Sequence, residues 1–262
     1  MRCLPVKVRA ALRDERGFTL IELLIATLAG IIVATATSAI VIASVHFSSN
    51  VGNRVDANQE GRVAMEKITQ ALNSSCVATG VTPVVGTPAP AGMVGGAASG
   101  SDANDVVFYS SLKDLPTLEP DEIEISLTGT APSQQLVMST YANTGTAASP
   151  PPWTFSTTPY PNFVLLPLAA QATIGGVAQP VFQYYAYSGS SISTTPIPSS
   201  QLPLSTATAA TVAEVTISFE ALPSNQGANI SATGVGANIS DSVVFRLTPA
   251  SSAANASNTP CT

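Results

Sequence analysis

From Leu23 to Val45 the chain carries no charged side chain. Wound as an α-helix, with ~1.5 Å of rise per residue, that run is ~35 Å long. It is therefore long enough to cross a hydrocarbon core of ~30 Å with some tilt, and residues 20–45 or so are expected to span a membrane. One residue complicates this reading. Glu22 stands at the mouth of the run, and a carboxylate at mid-membrane costs roughly 2.5–3.5 kcal/mol, less near the edge. No Lys or Arg follows within the next 30 residues. A positive partner arises nearby only if the chain is cut just before Phe18, which exposes a new α-amine.

The flanking charge sets the direction of insertion. Five of the ten basic residues (Arg2, Lys7, Arg9, Arg13, Arg16) precede the run, opposed only by Asp14 and Glu15. A basic segment before an apolar span stays cytoplasmic, which sends everything after Phe47 outside. Charged residues make up only 10% of the chain, against ~25% for an average soluble protein. Without residues 1–17, five basic side chains face fourteen acidic ones, a net charge of −9. Such a surface repels phosphates, so no nucleic acid is expected as a partner. An ordinary secretory signal is the competing reading, with 18–33 as its apolar core and cleavage near Ala34-Thr35-Ala36 or Thr37-Ser38-Ala39. Glu22 interrupts that core, and Ile40-Val41-Ile42 carries the apolar run past the cut.

The stretch Arg16-Gly17-Phe18-Thr19-Leu20-Ile21-Glu22-Leu23-Leu24-Ile25 joins a basic leader, a glycine, an aromatic and one acid in fixed register. It resembles the class III signal of type IV pilins and type II secretion pseudopilins. The resemblance implies that a membrane-embedded prepilin peptidase cuts after Gly17 and that Phe18 is N-methylated. It also implies that Glu22 pairs with the terminal amine of a neighbouring subunit as a filament assembles. Cleavage would discard Cys3 and leave Cys76 and Cys261. In an oxidising compartment an even pair reads as a disulfide, with two free thiols as the alternative. Closing a loop of about 185 residues would stabilise the head by ~5 kcal/mol in the chain-entropy model.

Helix signals continue beyond the apolar run. Val51, Val55, Ala64, Ile68, Ala71 and Leu72 fall mostly at three- and four-residue spacings, as on the buried stripe of a helix. No proline occurs from Val6 to Thr82, so one helix from about Phe18 to Asn73, ~84 Å long, is expected. Gly30, Gly52 and Gly61 are its weak points, since glycine costs ~1 kcal/mol against alanine. The segment from Gln59 to Glu66 also resembles, more loosely, the helix end of PilW/PulJ-type minor pilins.

Residues 77–103 are rich in Gly, Pro, Ala and Thr and read as a loop. Beyond them, short β-branched and aromatic runs predict strands at Asp105–Ser110, Glu122–Thr128, Gln135–Tyr141, Asn162–Leu168, Val181–Tyr187, Val212–Glu220 and Ser242–Thr248. Ile123, Ile125 and Leu127 alternate with Glu122, Glu124 and Ser126, the pattern of a strand with one wet face. The connections 143–161 and 188–211 are long and expected to be exposed. Gly-Ala-Asn-Ile-Ser occurs at 227–231 and again at 236–240 and reads as two hairpin arms or a loop duplication.

Little here points to catalysis. His46 is the only histidine, so no acid–base or metal cluster can form around it, and it reads as an interfacial side chain of the helix. No nucleophile motif or phosphate loop is present. No cofactor is expected. The one place a cation could be held is the acidic patch with Glu119, Asp121 and Glu122, because some pseudopilins bind calcium. It lacks the spacing of a calcium loop, and the expectation is a solvated rim with no metal. Trp153, with Phe155 and Tyr160 nearby, is expected to cover local core rather than anchor a ligand.

These readings converge on an α+β chain: a leader at 1–17, a helix at 18–75, and a β-rich, mainly antiparallel extracytoplasmic head at 76–262. The family resemblance implies a non-enzymatic filament subunit, a minor pilin or pseudopilin. Its expected partners are the prepilin peptidase, other pilin subunits, the cytoplasmic-membrane assembly platform and membrane lipid. The alternative is a secreted or anchored β-rich binding module of the adhesin type.

Overall fold

One helix, α1, runs without a break from Leu20 to Asn73. It opens a computed structural model that describes residues 19–76, 81–89, 94–110, 120–131, 134–145, 153–160, 162–188, 191–223 and 236–245. By internal contacts the chain divides into two units, Met1–Val51 and Gly52–Thr262. The architecture is α+β: a long, initially apolar helix followed by a mainly antiparallel sheet.

Within the second unit, α1 buries Ala57, Gly61, Ala64, Met65, Ile68, Ala71 and Leu72. Steps of three and four residues keep these on one stripe. Val51 and Val55, expected on that stripe, are instead exposed. At about 100° per residue, Val55 lies roughly 120° around the helix from Gly61 and so faces away.

Ten strands follow: β1 (Asp105–Ser110), β2 (Asp121–Thr128), β3 (Gln134–Tyr141), β4 (Phe163–Gln171), β5 (Thr173–Ile174), β6 (Val177–Ala178), β7 (Phe182–Ser188), β8 (Ser191–Ile192), β9 (Val212–Ala221) and β10 (Ala237–Val244). A 3-10 turn at Ser199–Gln201 and a one-turn helix, α2 (Thr206–Ala209), fill the connection before β9. The main sheet has the order β1-β2-β3-β4-β9-β7-β8, with β10 also paired to β9. All these strand pairings are antiparallel. The second Gly-Ala-Asn-Ile-Ser copy leads into β10, which starts at Ala237 rather than at Ser242 as the sequence suggests; the first copy lies outside the described residues. β5 and β6 form a hairpin that the strand pattern did not announce. Gly175 and Gly176 make its two-residue turn at φ of 61° and 83°, a turn open to glycine because both positions need positive φ.

The sheet is covered on both faces. On one, the α1 stripe packs with Val106, Phe108, Ile123, Ile125, Leu136, Leu166, Val215, Ile217 and Phe219. On the other, Cys76, Val81, Val85, Val107, Tyr109, Tyr141, Trp153 and Phe155 form a second cluster. This overturns the expected wet face of β2. Glu122 and Ser126 are buried, because the segment before β1 lies over them: Ala97 donates its N–H to Glu122 Oε1, and Ser99 Oγ donates to Glu124 Oε1 at 3.4 Å. Loop composition agrees with the absence of helix or strand elements among the described residues 81–89 and 94–103, but it carries no signal of which surface they cover.

Gly61 is a contact point rather than a weakness. A Cβ there would stand 2.8 Å from Ala221 Cβ and 2.9 Å from Ile239 Cγ1. At Gly52 a Cβ would meet nothing within 4 Å. Gly61→Val should therefore destabilise the head by about 2 kcal/mol through overpacking, lowering Tm by about 4–8 °C in detergent. Gly52→Ala should be neutral or stabilising by up to ~1 kcal/mol. Equal Tm values for the two variants would contradict this account of the helix–sheet contact.

Candidate functional site: the start of the long helix

The first turn of α1 is set by Thr19. Its carbonyl accepts the N–H groups of Glu22 at 3.0 Å and Leu23 at 3.1 Å, and its Oγ1 lies 3.3 Å from the Glu22 nitrogen. A threonine hydroxyl that takes the N–H three residues on is an N-cap. Thr19-Leu20-Ile21-Glu22 also has the T-x-x-E spacing of a capping box. Glu22 is thus held in the turn where the helix dipole presents partial positive charge. The sequence reading fixed on Glu22 and overlooked Thr19, although that spacing is visible in the residue string.

From this turn to Phe47 the first unit presents a continuous apolar surface. Leu20 is 84% exposed, and Ile21, Leu24, Leu28, Ile31, Ile32, Ile40, Val41, Val45 and Phe47 are all more than half exposed. None of the most apolar stretch of this helix is buried. Water does not tolerate an apolar surface of this extent on a stable monomer, so lipid or other helices must cover it. Its polar atoms suit that surrounding. Thr27, Thr35, Thr37 and Ser38 donate their hydroxyls to carbonyls three or four residues back, at 2.8–3.0 Å. Each is satisfied inside the helix, as hydrocarbon requires. His46 sits exposed at the far end of this surface.

The remaining expected residues fall elsewhere. Gly17, Phe18, Glu119 and Cys261 lie outside the described residues. Cys76 is fully buried beside Tyr109, whose carbonyl accepts its N–H at 2.8 Å. Asp121 and Glu122 are buried, not a solvated rim, and each accepts a backbone N–H, from Asn143 and Ala97 respectively. Among the described residues no group of three or more His, Cys, Asp or Glu side chains could hold a metal ion. Trp153 and Phe155 are buried against Tyr109, as expected of local core. Tyr160 is 59% exposed and takes no part in that cover.

A family model described as the prokaryotic N-terminal methylation motif matches residues 12–38. No curated protein and no solved structure matches the chain. The matched segment contains the Thr19 cap, Glu22 and the first half of the apolar surface. Together with that apolar helix, the motif supports a type IV pilin-like subunit.

If Thr19 caps the helix, Thr19→Val should cost about 1 kcal/mol locally. Amide exchange at Glu22 and Leu23 in micelles should then speed up by about fivefold, with residues beyond Thr27 unchanged. Identical protection in the variant would show that the hydroxyl contributes nothing.

Proposed function

We propose that this chain is a minor pilin or pseudopilin of the PilW/PulJ type. In this reading it inserts in the cytoplasmic membrane with its head outside. The prepilin peptidase cuts it after Gly17, and Phe18 is N-methylated. The assembly platform then draws it into a type IV pilus or a type II secretion-like filament. The observation that carries the proposal is Glu22: an acid in the first turn of a helix whose apolar side chains from Leu20 to Phe47 stand exposed.

The work is associative. Before assembly the Glu22 carboxylate lies at the membrane edge, where the helix dipole and the Thr19 cap offset part of its cost. Cleavage creates an α-amine at Phe18. An amine of one subunit within ~4 Å of Glu22 of the next would interact by about 4 kcal/mol at an effective dielectric of 20. That exceeds the roughly 2.5–3.5 kcal/mol cost of an unpaired acid at mid-membrane, so entering the filament relieves the charge that the free subunit carries alone. Outside, in an oxidising compartment, Cys76 and Cys261 would form the disulfide that closes the head.

Three measurements bear on this reading. Glu22→Ala should insert in the membrane and be processed, yet be absent from sheared filaments; incorporation at the wild-type level would argue against the pairing. Mass spectrometry of the purified protein should find a mature terminus at methylated Phe18. An intact Met1, or a start near Thr37 or Ile40, would reject the processing and favour a secreted binding module. Non-reducing peptide mapping should link the Cys76 and Cys261 peptides, and recovery of two separate thiols would refute the bridge.

A further inference from the structure

On the sheet face turned away from α1, three side chains stand in one row across three strands. Tyr109 of β1 is the cross-strand partner of Glu122 on β2, and Glu122 is the partner of Tyr141 on β3. All three are buried, Glu122 to 2% exposure, and among the described residues the Tyr109 hydroxyl finds no hydrogen-bond partner. The lid over this row is the segment 94–97. Its one bond to the row is the Ala97 N–H donated to Glu122 Oε1. Gly96, at a φ of 81°, lies so close to that carboxyl that a Cβ would collide with it. The lid also holds a second segment in place. Val94 N–H donates to the Trp153 carbonyl at 3.1 Å, Phe155 N–H to the Val94 carbonyl at 2.8 Å, and Gly96 N–H to the Ser156 carbonyl at 3.3 Å. Phe155 in turn stacks on Tyr109, with ring centres 5.3 Å apart.

No positive group faces Glu122 among the described residues. The ionisable groups around it are Glu124 on its own strand, Tyr109 and Asp105 on β1, and Tyr141 on β3. The covering segments 94–101 and 153–156 contain none, and Asp102 follows directly. The described cations Arg54, Arg62 and Lys67 all belong to α1, which packs on the opposite face. Glu124 is itself engaged, accepting the Tyr141 hydroxyl at 2.7 Å.

We propose that Glu122 is a proton-operated latch: its neutral carboxyl keeps the 94–97 lid and the Trp153–Ser156 segment closed over the aromatic cluster, and loss of the proton favours their release. Burial pushes the Glu122 carboxyl up to about 7, the Ala97 N–H opposes this, and the Glu124 charge adds to it. With the lid open the carboxyl meets water and returns to its ordinary value of 4.5. The closed state therefore holds the proton more tightly. Closure is fully favoured below 4.5 and is lost progressively as pH rises through 7. A difference of this size corresponds to a rise on the order of 100-fold in the opening equilibrium between the two limits. The latch stands on the geometry of the head alone and is independent of filament assembly.

Amide-exchange protection factors of the full chain in micelles, compared between pH 5 and pH 8.5, test the latch. Ala97 and Phe155 should lose on the order of 100-fold in protection with a midpoint near 7, while Ile217 in β9 keeps its protection. The single Trp153 should become accessible to acrylamide over the same interval. Constant protection of Ala97 and Phe155 in the wild type overturns the proposal without any variant. Glu122→Gln keeps an acceptor for Ala97 but cannot ionise, so its protection should no longer change with pH; the same transition in that variant also overturns the proposal. Asp105, on the same face and likewise pushed up to about 7 by burial, Asp102 and Glu124, is the control. Asp105→Asn should retain the transition, and its disappearance there would assign the proton to Asp105 instead.

Discussion

An exposed apolar helical surface, from Leu20 to Phe47, is the constraint on which everything else depends. Burying one Leu or Ile side chain is worth about 1.5–3 kcal/mol, so the ten exposed apolar side chains named between Leu20 and Phe47 carry tens of kcal/mol of gross driving force. That force is non-directional. Two such helices slide past one another by a turn with little change in buried area, so affinity alone does not fix a register. A single charge in a fixed place does, because a displacement of one turn leaves it without a partner in a medium of low dielectric. Glu22 occupies such a place, fastened in the first turn by the Thr19 cap. In the proposed filament the apolar residues would supply attraction and the acid would supply position.

The head solves a different problem with the same scarce residue type. Its sheet is covered on one face by α1 and on the other by irregular segments, and a buried loop needs acceptors for backbone N–H groups that no ladder satisfies. Acidic side chains provide several of them. Asp121 takes the Asn143 N–H and Glu122 that of Ala97, while Asp102 Oδ1 takes those of Asn104 and Asp105 at 2.6 and 2.9 Å. Ser101 Oγ does the same for Val107 at 3.0 Å. In this head the carboxylates serve as fasteners for loops. The arrangement explains why burial, rather than a neighbouring charge, is the leading influence on Asp105, Glu122 and Glu220.

What the residue string reveals and what it hides follow from the range of the forces involved. The long helix is legible because its signals are local: an uncharged run, no proline and a 3.6-residue stripe. Strands β1, β2, β3, β7 and β9 are legible for the same reason, through β-branched alternation and turn residues. The β5–β6 hairpin escapes because two-residue arms are too short to alternate, and only Gly175-Gly176 marks it. Gly61 reads as a helix weakness because propensity is a property of the helix alone, whereas the approach of Ala221 and Ile239 is set some 160 residues further along the chain. The methylation-motif segment is legible from the residues around Gly17 and Glu22. The Thr19 hydroxyl is marked only by the T-x-x-E spacing, which stands out little in a chain so rich in serine and threonine.

The acidic patch shows why composition misleads about chemistry. Asp121 and Glu122 are neighbours in sequence and so suggest a shared ligand. In a strand, consecutive side chains leave opposite faces of the sheet. Glu122 points among Tyr109, Tyr141 and the 94–97 lid, with Ile123 directed to the α1 side. Two carboxylates so placed do not converge on one ion, and a calcium ion demands six to eight oxygens around a single centre. Their closeness along the chain instead lets β2 fasten two loops at once, the 94–97 lid through Glu122 and the turn at Asn143 through Asp121. Those two loops grip the same Trp153–Ser156 segment, through Val94–Thr154 and Asn143–Phe155 bridges. Both acids are therefore joined, through hydrogen bonds of the covering loops' backbone, to the segment that carries the one tryptophan of the chain.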